Sequence, residues 1–121
     1  MTIELSQRFY FDAAHTLRRQ VEAEGSRRIH GHTYHAEITL RGEPHPETGM
    51  LMDLGLVRQA MAEVRDQLDH HFLDEVPGIG PATLENLAQY IYRRLKGSLP
   101  QLCRVSVERP HSGDKCVYWP D

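Results

Sequence analysis

His30 and His32 sit two residues apart with only Gly31 between them. On a strand that spacing turns both imidazoles to one face, close enough to chelate a single ion, and the glycine leaves room. A lone H-x-H pair also arises by chance and then reads as two polar residues at a strand start. Here both share the parity of an apolar strand face, and a further histidine, His15, closes the preceding strand-like segment. Antiparallel pairing of the two strands would bring His15 alongside. Histidine ligands from His15, His30 and His32 with an open fourth position describe a catalytic Zn2+ site, whereas a closed structural site takes four protein ligands and commonly thiolates. His35 falls on the opposite face, and His45 and His111 fall in or near turns. These three read as solvated.

A second group of residues could move protons. Asp69 and His70 are adjacent, and a carboxylate beside an imidazole holds one tautomer and stabilises the protonated ring. Taken alone, His70 and His71 read better as helix-end imidazoles favoured by the negative end of the helix dipole. Glu108 lies on the polar side of a strand, where its carboxylate could accept two hydrogen bonds from a guanidine-like heterocycle edge; by itself it reads as an exposed strand glutamate. Arg18 and Arg19, or Arg27 and Arg28, could hold an anionic ligand, and they read equally well as solvated loop charge.

These residues need elements to position them. From Ile3 to Phe11, apolar Ile3, Leu5, Phe9 and Phe11 alternate with Glu4, Ser6 and Arg8, the period of a half-buried strand. Thr16 to Arg28 is polar and charged and reads as a loop. A second strand is expected from about His30 to Arg41, with Tyr34, Ala36, Ile38 and Leu40 on one face. After the turn segment Gly42 to Gly49, Asp53 can cap a helix whose Leu54, Val57, Met61, Val64 and Leu68 recur at three- and four-residue spacing, ending near Asp69. Thr83 can cap a second helix with Leu84, Leu87, Ala88, Ile91 and Leu95 on one face, stopped by Gly97 and Pro100. Val105 and Val107 then mark a third strand and Cys116 to Trp119 a fourth, with a turn at Ser112 and Gly113. The order ββααββ implies an α+β fold, an antiparallel sheet with two helices on one face. Its bare edge strands favour self-assembly into a homo-oligomer.

The chain has 121 residues, which suits a single domain spanning 1–121. No apolar run approaches the roughly 20 residues of a membrane span. The first residues lack the basic and apolar regions of a signal peptide, which favours the cytoplasm. Cys103 and Cys116 show no cystine framework and read as thiols. A net charge of -3 with dispersed Lys and Arg gives no basic face, so nucleic acid is a poor partner.

Taken in order, FDAAH at 11–15, RIHGHTY at 28–34, MDL at 52–54, LDHHFL at 68–73, PATLEN at 81–86 and VERPHSG at 107–113 resemble the 6-pyruvoyl-tetrahydropterin synthase family. The resemblance spans nearly the whole chain and is strongest to the bacterial 6-carboxy-5,6,7,8-tetrahydropterin synthases of queuosine (7-deazaguanine) biosynthesis. It implies the tunnelling fold, commonly a hexamer built as a dimer of trimers with active sites between subunits. It also implies a dihydropterin triphosphate substrate, zinc on His15, His30 and His32, an acid/base pair at Asp69 and His70, a pterin anchor at Glu108, and Thr83 near the pterin. One position departs from the pattern. The family places a catalytic cysteine four residues before the first histidine of HGH, and Ser26 stands there. A hydroxyl is a far weaker acid than a thiol of pKa about 8.5, so proton abstraction is expected to suffer. Three explanations stand: a substitution that traps ligand, a branch with altered chemistry, or a serine assisted by His70.

Overall fold

A computed structural model describes residues 1–121. Strand β1 (Ile3–His15) pairs antiparallel with β2 (His30–Gly42), and β3 (Leu102–Arg109) and β4 (Asp114–Tyr118) complete a sheet in the order β1-β2-β3-β4. Between β1 and β2 lies a short helix α1 (Ala23–Arg27); between β2 and β3 lie the long helices α2 (Leu54–Leu68) and α3 (Leu84–Leu95), joined through a 3-10 turn at Leu73–Glu75.

Strand parity decides which side chains reach the core. Phe11 and Ala13 from β1, Tyr34, Ala36, Ile38 and Leu40 from β2, and Val105 and Val107 from β3 are buried together with Val57, Met61, Val64 and Leu68 of α2 and Leu87, Ala88, Ile91 and Leu95 of α3. Both long helices therefore cover the same sheet face, as their apolar stripes require. The other face carries charge and polar pairs: Arg8 with Glu37, Arg104 with Glu4, and the Ser6 hydroxyl 2.8 Å from that of Thr39.

Asp53 accepts the Gly55 N–H at 2.7 Å, and Thr83 Oγ1 accepts that of Asn86 at 3.1 Å, so both expected caps are in place. Three boundaries differ from expectation. β1 continues past Phe11 to His15, because Ala13 and His15 keep the inward parity and Ala14 and His15 still find partners in Gly31 and His30. The segment 16–28 contains α1, a single turn whose Ser26 N–H donates to the Glu22 carbonyl at 3.1 Å; it is too short to show a helical period. β4 begins at Asp114 instead of Cys116, since Arg109 and Asp114 close the hairpin as an ion pair.

Candidate functional site

The β1–β2 register sets His15 directly opposite His30 and Ala13 opposite His32, all on the core-facing side. The three imidazoles thereby close the open end of the core, with ring centroids 4.5 Å apart for His15–His30 and 4.9 Å for both pairs involving His32. One ligand atom from each lies within 4.8 Å of the others.

Hydrogen bonding fixes what these nitrogens can do. His15 Nδ1 donates to the Ala82 carbonyl at 2.8 Å, and His30 Nδ1 donates to that of Arg28 at 2.8 Å. With Nδ1 protonated in each neutral ring, each Nε2 presents a lone pair. Those two Nε2 atoms face each other at 2.9 Å, and His32 Nε2 is buried with no partner at all. Converging lone pairs repel unless a cation sits among them, and carbonyls on the far nitrogens are the usual device for orienting metal-binding imidazoles. Burial, chiefly, lowers the pKa of His15, and it pushes His32 down to about 4 with help from the positive charges of His15 and Arg109. Both rings are thus kept in the neutral form that binds metal. The donor set suits a divalent transition metal with an open coordination position.

Two cavities border this cluster. A cleft of about 710 Å³ is lined by His32, Thr33, Asp12, His70, His71 and Arg109 among others. A smaller one, about 260 Å³, lies against His30, His32, Ser26, Glu22 and Arg109. His70 enters the larger cleft because its backbone adopts a left-handed conformation (φ 59) that lets its N–H donate to the Asp12 carbonyl at 2.6 Å. Its ring Nδ1 lies 2.9 Å from Asp69 Oδ2, while Oδ1 of the same carboxylate accepts the Asp12 N–H at 2.9 Å. That backbone bond and the His70 contact hold the Asp69 carboxyl below its usual range. The pair is oriented, and the largely exposed His70 ring lines the larger cleft with Nε2 unpartnered.

Ser26 borders the smaller cavity, but its hydroxyl is occupied. Oγ accepts the Arg19 N–H at 3.2 Å and lies 2.9 and 3.0 Å from the carbonyls of Ala23 and Leu17, so its one proton is spent on loop backbone. Arg18, Arg19 and Thr83 line a separate cavity of about 500 Å³ behind His15, whereas Arg27 is exposed and donates to Ala23. Glu108 pairs with His35 on the opposite sheet face, so a single chain does not bring it to the histidines. Sequence reasoning overlooked Arg109, although its parity with Val105 and Val107 places it on the histidine face, and it missed Asp12, which joins Asp69 to Thr33.

An α+β sheet with two helices on one face and a histidine cluster at its open end defines a narrow class of protein. The model of the family 6-pyruvoyl tetrahydropterin synthase matches residues 4–121, and the chain belongs to that family. It is 32% identical over 106 residues to the 6-carboxy-5,6,7,8-tetrahydropterin synthase of Synechocystis, covering 82% of this chain and 80% of that one. It is equally 32% identical to the dihydroneopterin monophosphate aldolase of Pyrococcus furiosus, covering 83% of this chain and 81% of that one. The 6-pyruvoyl tetrahydrobiopterin synthase of Poecilia reticulata is 40% identical over 73% of this chain, which spans 62% of that longer protein. The structure of Caenorhabditis elegans 6-pyruvoyl tetrahydropterin synthase superposes with a TM-score of 0.88 at 27% identity, covering 100% of this chain and 97% of that one. The fold is therefore the tunnelling fold.

Proposed function

We propose that this chain is a zinc-dependent pterin side-chain lyase that converts 7,8-dihydroneopterin triphosphate to 6-carboxy-5,6,7,8-tetrahydropterin, releasing acetaldehyde and triphosphate, as in 7-deazaguanine biosynthesis. The convergent lone pairs of His15, His30 and His32 carry the reading, and the match along most of the Synechocystis relative supports the carboxy product.

Bound at these histidines, zinc would supply Lewis-acid polarisation of the side-chain oxygens, which acidifies the neighbouring C–H. The protein's own groups handle the protons. His70, held through Nδ1 by Asp69, gives or takes a proton at Nε2 on the cleft side. Ser26 is a poor base because its hydroxyl is committed to carbonyls, so turnover should be slow. Glu108 anchors the pterin in a site completed by a neighbouring subunit, consistent with its place on the face away from the histidines.

The test is product analysis with 7,8-dihydroneopterin triphosphate for the wild type and Ser26→Cys. Acetaldehyde and the carboxypterin are expected, with the thiol variant faster by roughly a hundredfold. If neither form turned over any dihydropterin, the lyase reading would be lost. A second reading is favoured by the Pyrococcus relative: retro-aldol cleavage, recognised by a hydroxymethyl pterin product. A pyruvoyl pterin would instead mark the chemistry named for the family.

A further inference from the structure

Arg109 stands where a core residue would be expected. It follows Val105 and Val107 in the inward parity of β3, and its side chain is only 16% exposed. It forms part of the wall of both cavities that border the histidine cluster. Its guanidinium has one protein partner, Asp114, reached by Nη2 at 3.0 Å. The Nε–H has no acceptor, which leaves an edge of a planar donor fork unsatisfied inside the protein.

Retaining a cation there is costly on two counts. An unpaired buried donor forfeits its hydrogen bond to water, and a fixed positive charge beside a cluster built to hold a metal cation is repulsive. Both costs vanish when an oxyanion accompanies the ligand. Asp114 is half exposed and occupies one corner of the fork, so it does not fill this need. With a divalent cation on one side and a guanidinium on the other, a dianion compensates better than a carboxylate. A phosphate monoester, with a second pKa near 6, is largely dianionic at neutral pH. Arginine is also the side chain whose geometry matches phosphate through paired N–H donors.

We propose that Arg109 is the principal residue of a phosphate-binding subsite adjoining the histidine cluster, and that it receives the phosphoryl group of a phosphorylated ligand. This rests on the pterin-lyase reading only for which molecule carries the phosphate. Of the exposed arginines between β1 and β2, Arg19 also borders the smaller cavity, whereas Arg18, Arg27 and Arg28 line neither cavity beside the histidines.

Calorimetric titration of the metal-loaded protein with methyl phosphate tests it, since that small monoester probes the subsite without the pterin. Arg109→Met should weaken methyl phosphate by about tenfold or more, with metal content and unfolding midpoint retained, and Arg109→Lys should restore part of the affinity. Acetate should bind more weakly than methyl phosphate to the wild type. Should Arg109→Met fail to fold, Asp114→Asn provides the second arm: freeing Nη2 should tighten methyl phosphate, and weaker binding would overturn the proposal. Equal affinities in wild type and Arg109→Met, or a loss seen only in an Arg18→Met, Arg19→Met double variant, would overturn it too. Phosphate binding that persists without turnover of any dihydropterin would sink the lyase reading and leave the subsite standing.

Discussion

His15 is held from behind by the Ala82 carbonyl and faces His30 and His32 in front, so its tautomer is set by backbone before any ion arrives. Two consequences belong at this scale. Replacing His30 by Ala removes one of the three proposed ligands, and on that proposal zinc measured by elemental analysis after dialysis should fall well below one ion per chain. Acidification should also weaken the metal-free fold. His32 in the folded chain is pulled from its ordinary 6.5 down to about 4, so as pH falls the unfolded chain takes up the proton first. Stability from this group is complete above about 6.5 and declines toward 4, with His15 shifted in the same direction. Melting temperatures in chelator across that window should drop for the wild type and drop less for His32→Asn; an equal fall in both would refute the cause. The histidine cluster was legible in the sequence because period-two parity and a two-residue spacing are enough to place side chains on a strand. The engagement of Ser26 was not, because contacts with the Arg19 N–H and the Leu17 and Ala23 carbonyls in a non-repeating loop leave no periodic trace. Arg109 was readable by the same parity that revealed the histidines, since it follows Val105 and Val107 on the inward side of β3.

At the scale of elements, capping and periodicity carried the helices. Asp53 and Thr83 each close one orphan N–H, and the apolar stripes of α2 and α3 show which sides must be buried. Thr83→Ala should therefore cost about 1 kcal/mol in denaturant unfolding, while Thr83→Ser should cost little. A larger loss of ligand affinity than of stability in Thr83→Ala would show the hydroxyl serving the pterin as well as the helix. What the sequence could not supply was the path of the chain between elements. His70 reaches the cleft only through a left-handed backbone, a conformation that residue type alone does not announce. The register β1 to β2, by contrast, follows from matching the two apolar faces, since a one-residue slip of β2 would turn His30 and His32 away from His15.

For the molecule as a whole, β1 and β4 are the sheet's edges. β1 presents 13 residues along one side, and over its second half the backbone groups of Tyr10, Asp12 and Ala14 are taken up by Arg65, Asp69, His70 and His71. Edges of that length invite pairing with other copies. With Glu108 and the histidines on opposite faces, a neighbouring subunit is also what could unite them. Sedimentation should show a hexamer; a monomer at working concentration would contradict the assembly and the placement of Glu108 together. No helix is long and apolar enough to cross a membrane. The loop carrying Ser26 begins after His15 and ends before His30, so the two imidazoles that meet at 2.9 Å also draw its two ends together. An ion seated there acts as a clasp at the neck of a purse. The contents of the purse can then be exchanged without the neck moving, so Ser26→Cys should leave the histidine cluster and the mouth of the site in shape.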